Sequence, residues 1–328
     1  MRAVHATAFG DPSVLAVSEL PDPTPGPGEV TIDVTHAAVG MVDLFFRQGA
    51  FADSPGMPQP PFVPGLEVSG TIRELGEGVT DFRVGERVVA MSQTGTGGYA
   101  SVYVAAAPFV ISIDGFGIDP AIAVSMIPNA AMAHAALTEV AHLKAGDSVL
   151  VHGALGGLAS AFPGVAKRLG ATRVVGTVRP GKLDAATSTK LPYDQIVDST
   201  QFLDVLSGEK FDVVVDPVGG EIRSQSLALM GPGGRLIAAG NASGEWEHAV
   251  VDSQLWMGSV TIAGFNAGAF LPTHPHVVRP ALEAARAAVA AGLGETVVEA
   301  LPFEQAAVAH QRMENRELTG RFVLTSKS

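Results

Sequence analysis

Between residues 149 and 239 the chain repeats one pattern, a short apolar run followed by a helix-length stretch containing alanine, leucine and lysine. The runs are Val149-Leu150-Val151-His152, Val174-Val175-Gly176-Thr177-Val178, Gln195-Ile196-Val197, Asp212-Val213-Val214-Val215 and Leu236-Ile237-Ala238-Ala239. Apolar runs without polar alternation must be covered on both faces, and helix-length connections return the chain so that successive strands run the same way. The pattern predicts a doubly wound parallel sheet. The earlier part of the chain reads as β-rich: runs such as Val30-Thr31-Ile32-Asp33-Val34 and Arg87-Val88-Val89-Ala90 lie between turn clusters such as Pro25-Gly26-Pro27-Gly28 and Gly95-Thr96-Gly97-Gly98. After Gly264 come an alanine-rich helix around 279–291 and a last strand, Arg321-Phe322-Val323-Leu324. The layout is an α/β chain in which a βαβ domain, 120–264, is inserted between two parts, 1–119 and 265–328, of a β-rich domain.

Composition excludes several functions. The 328 residues contain no cysteine, which removes disulfides, thiolate zinc sites, iron–sulfur clusters and a cysteine nucleophile. Nine histidines form no HExxH or HxxxH pair, so no protein-held metal is expected. A net charge of −12 without a basic run disfavours nucleic acid and anionic membrane as partners. Two charge-free stretches, 120–138 and 148–166, are interrupted by proline, glycine and polar residues, unlike an apolar membrane span. The start, Met1-Arg2-Ala3-Val4-His5-Ala6-Thr7, lacks an apolar signal core and reads as a strand. A soluble cytoplasmic protein is the expectation.

The segment Val151-His152-Gly153-Ala154-Leu155-Gly156-Gly157-Leu158-Ala159 runs from strand into glycine turn into helix. Such a turn brings backbone N–H groups up to a pyrophosphate at a helix start. Measured against GxGxxG, only the middle glycine, Gly156, is present; Ala154 and Ala159 hold the outer positions, and a plain strand–helix turn is the alternative. The second strand ends at Val178, where an NAD site usually has a carboxylate; Thr177, Arg179 and Lys182 surround it instead. Two cations there suit a 2′-phosphate and hence NADPH, although ordinary solvated residues are the competing reading. Pro163-Gly164 falls inside the following helix and predicts a kink or a late regular start. Asp43, ahead of Leu44-Phe45-Phe46-Arg47 and Gly49, is expected to cap a short helix.

Together with Phe9-Gly10-Asp11-Pro12, Val63-Pro64-Gly65-Leu66-Glu67, Val84-Gly85-Glu86-Arg87-Val88, Asp216-Pro217-Val218-Gly219-Gly220 and Gly320-Arg321-Phe322-Val323-Leu324, these residues resemble the medium-chain dehydrogenase/reductase superfamily, in its zinc-free quinone oxidoreductase branch. The resemblance implies a GroES-like catalytic domain, a Rossmann domain and NADPH as cofactor. It carries over Gly156, Gly157 and Leu158 to the pyrophosphate, and Thr177, Arg179 and Lys182 to the adenosine end. Val218, Gly240, Asn241 and Ser243 would line the nicotinamide side, with Phe265 and Asn266 in a lid-like segment and Arg316 and Arg321 as C-terminal cations. For the strand-end residues simple turn chemistry is the alternative. A homodimer is implied too, with Ser259-Val260-Thr261-Ile262-Ala263 as the pairing strand.

Departures narrow the chemistry. Zinc-dependent members carry cysteine three residues before the residue matching Asp43 and histidine just before that matching Glu67; here these are Gly40 and Leu66. Gly40 also replaces the asparagine usual in quinone reductases. Phe51 stands where enoyl-thioester reductases often have tyrosine, and Met132 replaces a common threonine. Met41, Phe51, Asn129, Met132 and Phe265 are the expected pocket residues; all but Asn129 are apolar and suit an apolar substrate, although core packing explains the apolar ones equally well. No side chain is singled out as the catalytic acid: Asn129 and His134 are candidates, with a helix-start residue and a packed histidine as the favoured readings. The expected function is NADPH-dependent reduction of a quinone or an apolar α,β-unsaturated carbonyl compound. The alternatives are an enoyl-thioester reductase and an NADPH-binding module with little catalysis.

Overall fold

The structure, a computed structural model, describes residues 1–293, 296–317 and 319–326. The chain divides into two compact units: Met1–Pro128 with Val278–Ala290 and Val297–Ser328, and Asn129–Val277 with Ala291–Thr296. The sequence placed the divisions at 119/120 and 264/265. The contacts draw them inside the apolar helix Pro120–Ala135 and inside the helix Pro275–Ala290.

The first unit is β-rich, as expected. A sheet runs Val298–Pro302, Arg321–Thr325, Glu29–Ala38, Glu67–Leu75, Arg87–Met91, Val110–Ser112, and Val102–Ala106 also pairs with Glu29–Ala38. The ten-residue strand Glu29–Ala38 is therefore central: its first half borders Val102–Ala106 and its last residues border Arg321–Thr325. Its Val30, Ile32 and Val34 enter a core with Leu44, Val68, Val88, Tyr99 and Phe322. Burial of such aliphatic side chains contributes about 1.5–3 kcal/mol each before entropy. Arg2–Ala6 and Leu15–Glu19 form a separate antiparallel pair.

Helix Met41–Gln48 belongs to this unit, but its cap differs from expectation. Gly40 is the N-cap, and Asp43 sits two residues inside the helix with its carboxylate accepting back from the Gly40 N–H at 2.8 Å. The carboxylate reaches the free N–H from the first turn instead of preceding it. Gly49 ends the helix with φ of +77°, a left-handed conformation that favours glycine.

The second unit holds six parallel strands. In spatial order they are Gln195–Asp198, Arg173–Val178, Ser148–His152, Phe211–Asp216, Met230–Ala238 and Thr261–Gly264, the 3-2-1-4-5-6 arrangement of a Rossmann sheet. The helix after the glycine turn starts late, as Pro163 predicted: a tight turn, Ala159–Ala161, precedes Phe162–Arg168. Pro163 thus lies in the first turn, where a missing N–H costs little. Gly164 lets the Leu293 segment approach; an added Cβ would come 3.1 Å from that leucine's Cβ.

Among the described residues one helical stretch, Pro120–Val140, has the length and apolar composition of a membrane span. Most of it is buried inside the protein, as in a core helix.

Candidate cofactor site

In a sheet of this order ligands bind beyond the strand C-termini where the strand order reverses, here between Ser148–His152 and Phe211–Asp216. The loop leaving the first of these begins at Gly153, whose φ of +66° turns the chain sharply. The Ala154 N–H then bonds the Thr177 carbonyl at 2.9 Å, the Gly156 N–H bonds Gly153 at 2.8 Å, and the Ser160 N–H bonds Gly156 at 2.8 Å. These bonds curl the loop so that Gly156 is exposed and Gly157 and Leu158 are half-buried. Among the described residues, the Gly157 and Leu158 N–H groups have no protein acceptor. Donors left open at a loop crown suit a ligand that only accepts hydrogen bonds, such as a pyrophosphate.

At the end of the second strand, Arg179 is exposed and Lys182 half-buried. A tight turn, Pro180–Lys182, with the Lys182 N–H on the Arg179 carbonyl at 2.8 Å, folds the two cations toward one another. Partial burial, and then repulsion from Arg179, lowers the Lys182 ammonium from its ordinary value. Thr177 needs correcting: its side chain is fully buried and its hydroxyl lies 2.9 Å from His152 Nδ1. Pointing inward on the strand, that side chain cannot meet the adenosine end. His152 Nε2 is 2.7 Å from Ser226 Oγ, and burial pushes the imidazole down to about 4, so it is neutral at physiological pH.

The next strand ends form a braced pair of loops. Asp216, fully buried, accepts from the Val218 and Gly219 N–H groups at 2.8 Å each and from Arg223 Nε at 2.6 Å. Arg223 Nη2 also donates to the Gly240 carbonyl at 2.7 Å. Across the gap the Ser243 N–H bonds the Val218 carbonyl at 2.8 Å. Gly240 and Ser243 are exposed and Val218 half-buried. Gly240 cannot carry a side chain without meeting the Pro217 carbonyl at 2.9 Å. The Asn241 side chain turns into its own loop: its amide oxygen accepts from the Trp246 N–H at 3.1 Å once the amide is oriented to satisfy its neighbours. Phe265 is buried and its N–H bonds the Ala238 carbonyl, while exposed Asn266 caps helix Ala267–Thr273 through the Gly268 N–H at 3.0 Å. Asn129 is buried and Met132 half-buried. His134 is half-buried, and its Nδ1 has no hydrogen-bond partner among the described residues.

Four of the expected residues belong to the β-rich unit. Met41 is exposed, and Phe51 makes edge-on contacts with Phe45 and Phe46, ring centroids 6.0 and 6.3 Å apart. Arg316 is exposed with φ of +59°. Arg321, expected as a C-terminal cation toward the cofactor, must be corrected: it is buried and its guanidinium is paired with buried Glu67. Near that pair lies a cluster that sequence reasoning missed. The Asp43 carboxyl is wholly buried and accepts from Gly40 N–H, from Gly65 N–H at 2.9 Å and from the Tyr99 hydroxyl at 3.1 Å. Tyr99 Oη is also 3.1 Å from His310 Nε2. Burial, reinforced by the charge of Glu67, raises the Asp43 carboxyl to about 7. Burial, reinforced by Arg47, lowers His310 to about 3. No spacing in the sequence links residues 43, 99 and 310.

Comparison with known proteins agrees with this architecture. Residues 26–115 match the alcohol dehydrogenase GroES-like domain family and residues 191–324 the zinc-binding dehydrogenase family. A 2-haloacrylate reductase from a Burkholderia species is 30% identical over 96% of both chains. A quinone oxidoreductase from Lama guanicoe is 32% identical over 74% of this chain and 73% of its own. The synaptic vesicle membrane protein VAT-1 homolog of Danio rerio is 27% identical over 92% of this chain, which spans 64% of that protein's length. A mycobacterial protein solved in complex with NADPH superposes with a TM-score of 0.84 at 30% identity, covering 99% of this chain and 100% of that one. With a GroES-like unit, a Rossmann sheet and neither the cysteine nor the histidine that zinc-dependent members carry, the chain belongs to the medium-chain dehydrogenase/reductase family, in its zinc-free, quinone oxidoreductase-like branch.

Proposed function

We propose that the chain is an NADPH-dependent reductase acting on a quinone or on the C=C bond of an apolar α,β-unsaturated carbonyl compound. The observation that carries this reading is the like-charged pair Arg179 and Lys182 beside a loop crown with open N–H donors. A 2′-phosphate and a pyrophosphate are the two anionic groups such an arrangement would take together. When bound, NADPH supplies the hydride and the reducing power. The chain's residues hold and orient: Gly156, Gly157 and Leu158 at the pyrophosphate, Arg179 and Lys182 at the 2′-phosphate, and the braced loops at Val218, Gly240 and Ser243 beyond the strand ends. Quinones and haloacrylates, named for two of the relatives, both hold a C=C bond conjugated to a carbonyl carbon. In such substrates negative charge collects on oxygen during reduction, and backbone N–H groups and water can meet it without a dedicated side-chain acid.

The test is oxidation of NADPH, with NADH in parallel, against quinones, cyclic enones, 2-haloacrylates and enoyl-CoA esters. Turnover that prefers NADPH with a quinone or enone is the expected result. Preference for enoyl-CoA esters would move the assignment to thioester reduction, and tight NADPH binding without turnover to a non-catalytic role. We also propose a homodimer. Strand Thr261–Gly264 pairs with Met230–Ala238 on one side, and among the described residues no strand covers the other.

A further inference from the structure

We infer that Tyr193 is a positioning residue for the phosphate loop, holding both ends of the loop through one hydroxyl. This rests on the NADPH reading above. Tyr193 Oη lies 3.1 Å from the Ala154 carbonyl and 3.1 Å from the Ala159 carbonyl. Those carbonyls bracket Leu155–Leu158, the stretch that carries Gly156, Gly157 and the open N–H groups. A phenol has one proton, so the bond is three-centred and draws both carbonyls to a single point. The separation of the loop's ends, and with it the curvature that spreads the N–H donors, is set by that atom.

The surrounding packing is built for this. An added Cβ on Gly176 would lie 2.6 Å from the Ala154 Cβ and 3.0 Å from Tyr193 Cε1. The empty position on the neighbouring strand admits both the Ala154 methyl and the tyrosine ring. The ring packs on a small cluster of Ala154, Leu155, Val178 and Leu191. Ala154 and Ala159 stand where the dinucleotide fingerprint has its first and third glycines. In that fingerprint, glycine's freedom and small size make the tight turn and the close packing. Here a side chain from the approach to strand Gln195–Asp198 grips the same two positions. Burial pushes the Tyr193 hydroxyl well above the ordinary phenol range, so it stays a donor at any working pH.

The test is Tyr193→Phe, which removes the hydroxyl and keeps the ring. Affinities for NADPH and for 2′-AMP are measured by titration calorimetry; 2′-AMP offers the phosphate that Arg179 and Lys182 would meet but has no pyrophosphate. The expected result is NADPH binding weaker by roughly threefold to tenfold. Binding of 2′-AMP and kcat at saturating NADPH stay unchanged, and amide hydrogen exchange at Gly156 and Ser160 becomes faster. Equal NADPH affinity in the two proteins overturns the inference, as does equal weakening for both ligands. If the wild-type chain binds no NADPH, the cofactor reading falls instead. The exchange measurement then still decides the hydroxyl's role, because unchanged protection at Gly156 and Ser160 overturns it.

Discussion

Asp43→Asn tests the buried cluster of the β-rich unit. The wild-type carboxyl rises from 3.8 to about 7, chiefly because burial penalises its charge and Glu67 adds repulsion. A carboxyl raised on folding leaves stability intact below its unfolded value and removes it as pH climbs toward the folded one. Between 3.8 and about 7 the unfolded chain releases this proton while the folded chain keeps it. At about 1.4 kcal/mol per unit, the loss totals about 4 kcal/mol, of which about 3 falls between pH 5 and 8. Asparagine does not titrate. It offers one oxygen to three donors, Gly40 N–H, Gly65 N–H and Tyr99 Oη, and so costs about 1–3 kcal/mol. That cost is equal at both pH values, because Tyr99 is raised well above its ordinary range and His310 is held near 3. Other titrations cancel between the two proteins. Urea unfolding at pH 5 and pH 8 is best followed by far-ultraviolet circular dichroism, since both tryptophans, Trp246 and Trp256, lie in the Rossmann unit. The wild-type advantage over the variant should shrink by about 3 kcal/mol from pH 5 to pH 8. Parallel changes in the two proteins would show a carboxyl ionised throughout, its hydrogen bonds outweighing its burial, and would refute the reasoning.

Three further outcomes are expected. Arg179→Ala combined with Lys182→Ala should lower kcat/KM for NADPH by one to two orders of magnitude and leave NADH nearly unaffected, removing roughly 1.5–3 kcal/mol of charge-assisted bonding; an unchanged cofactor ratio would count against the 2′-phosphate reading. His152→Gln removes a group lowered from 6.5 to about 4, whose stabilisation is complete above 6.5 and is lost as pH falls through about 4. The variant should therefore lose about 3 kcal/mol less than wild type in that window, as read by acid unfolding curves. Arg321→Ala leaves Glu67 buried without its partner and should cost about 3–5 kcal/mol in urea unfolding while NADPH affinity holds, since the arginine lies inside the β-rich unit.

Much of the fold could be read from local chemistry. The apolar runs at 149–152, 174–178 and 212–215 mark sheet strands because a strand covered on both faces tolerates no polar alternation. Pro163 announced its late helix start because a residue without an N–H fits best in the first turn. Thr177 and Arg321 were misread for one reason: strand position says which residue stands at an end, while facing depends on what lies beside it. Thr177 meets His152, and Arg321 meets Glu67, 254 residues away in sequence.

Element order, the doubly wound sheet, the missing zinc ligands and the cation pair were thus determined by residue type and short-range spacing, since period, turn chemistry and composition act over a few residues. The tertiary structure alone decided which polar groups are buried and what they touch. It joined Asp43 to Tyr99 and His310, tied Asp216 through Arg223 to Gly240, and brought the Tyr193 hydroxyl onto both ends of the phosphate loop. Those partners come from distant parts of the chain, and a buried polar group is stable only with a partner in reach, so packing determines which partner it has.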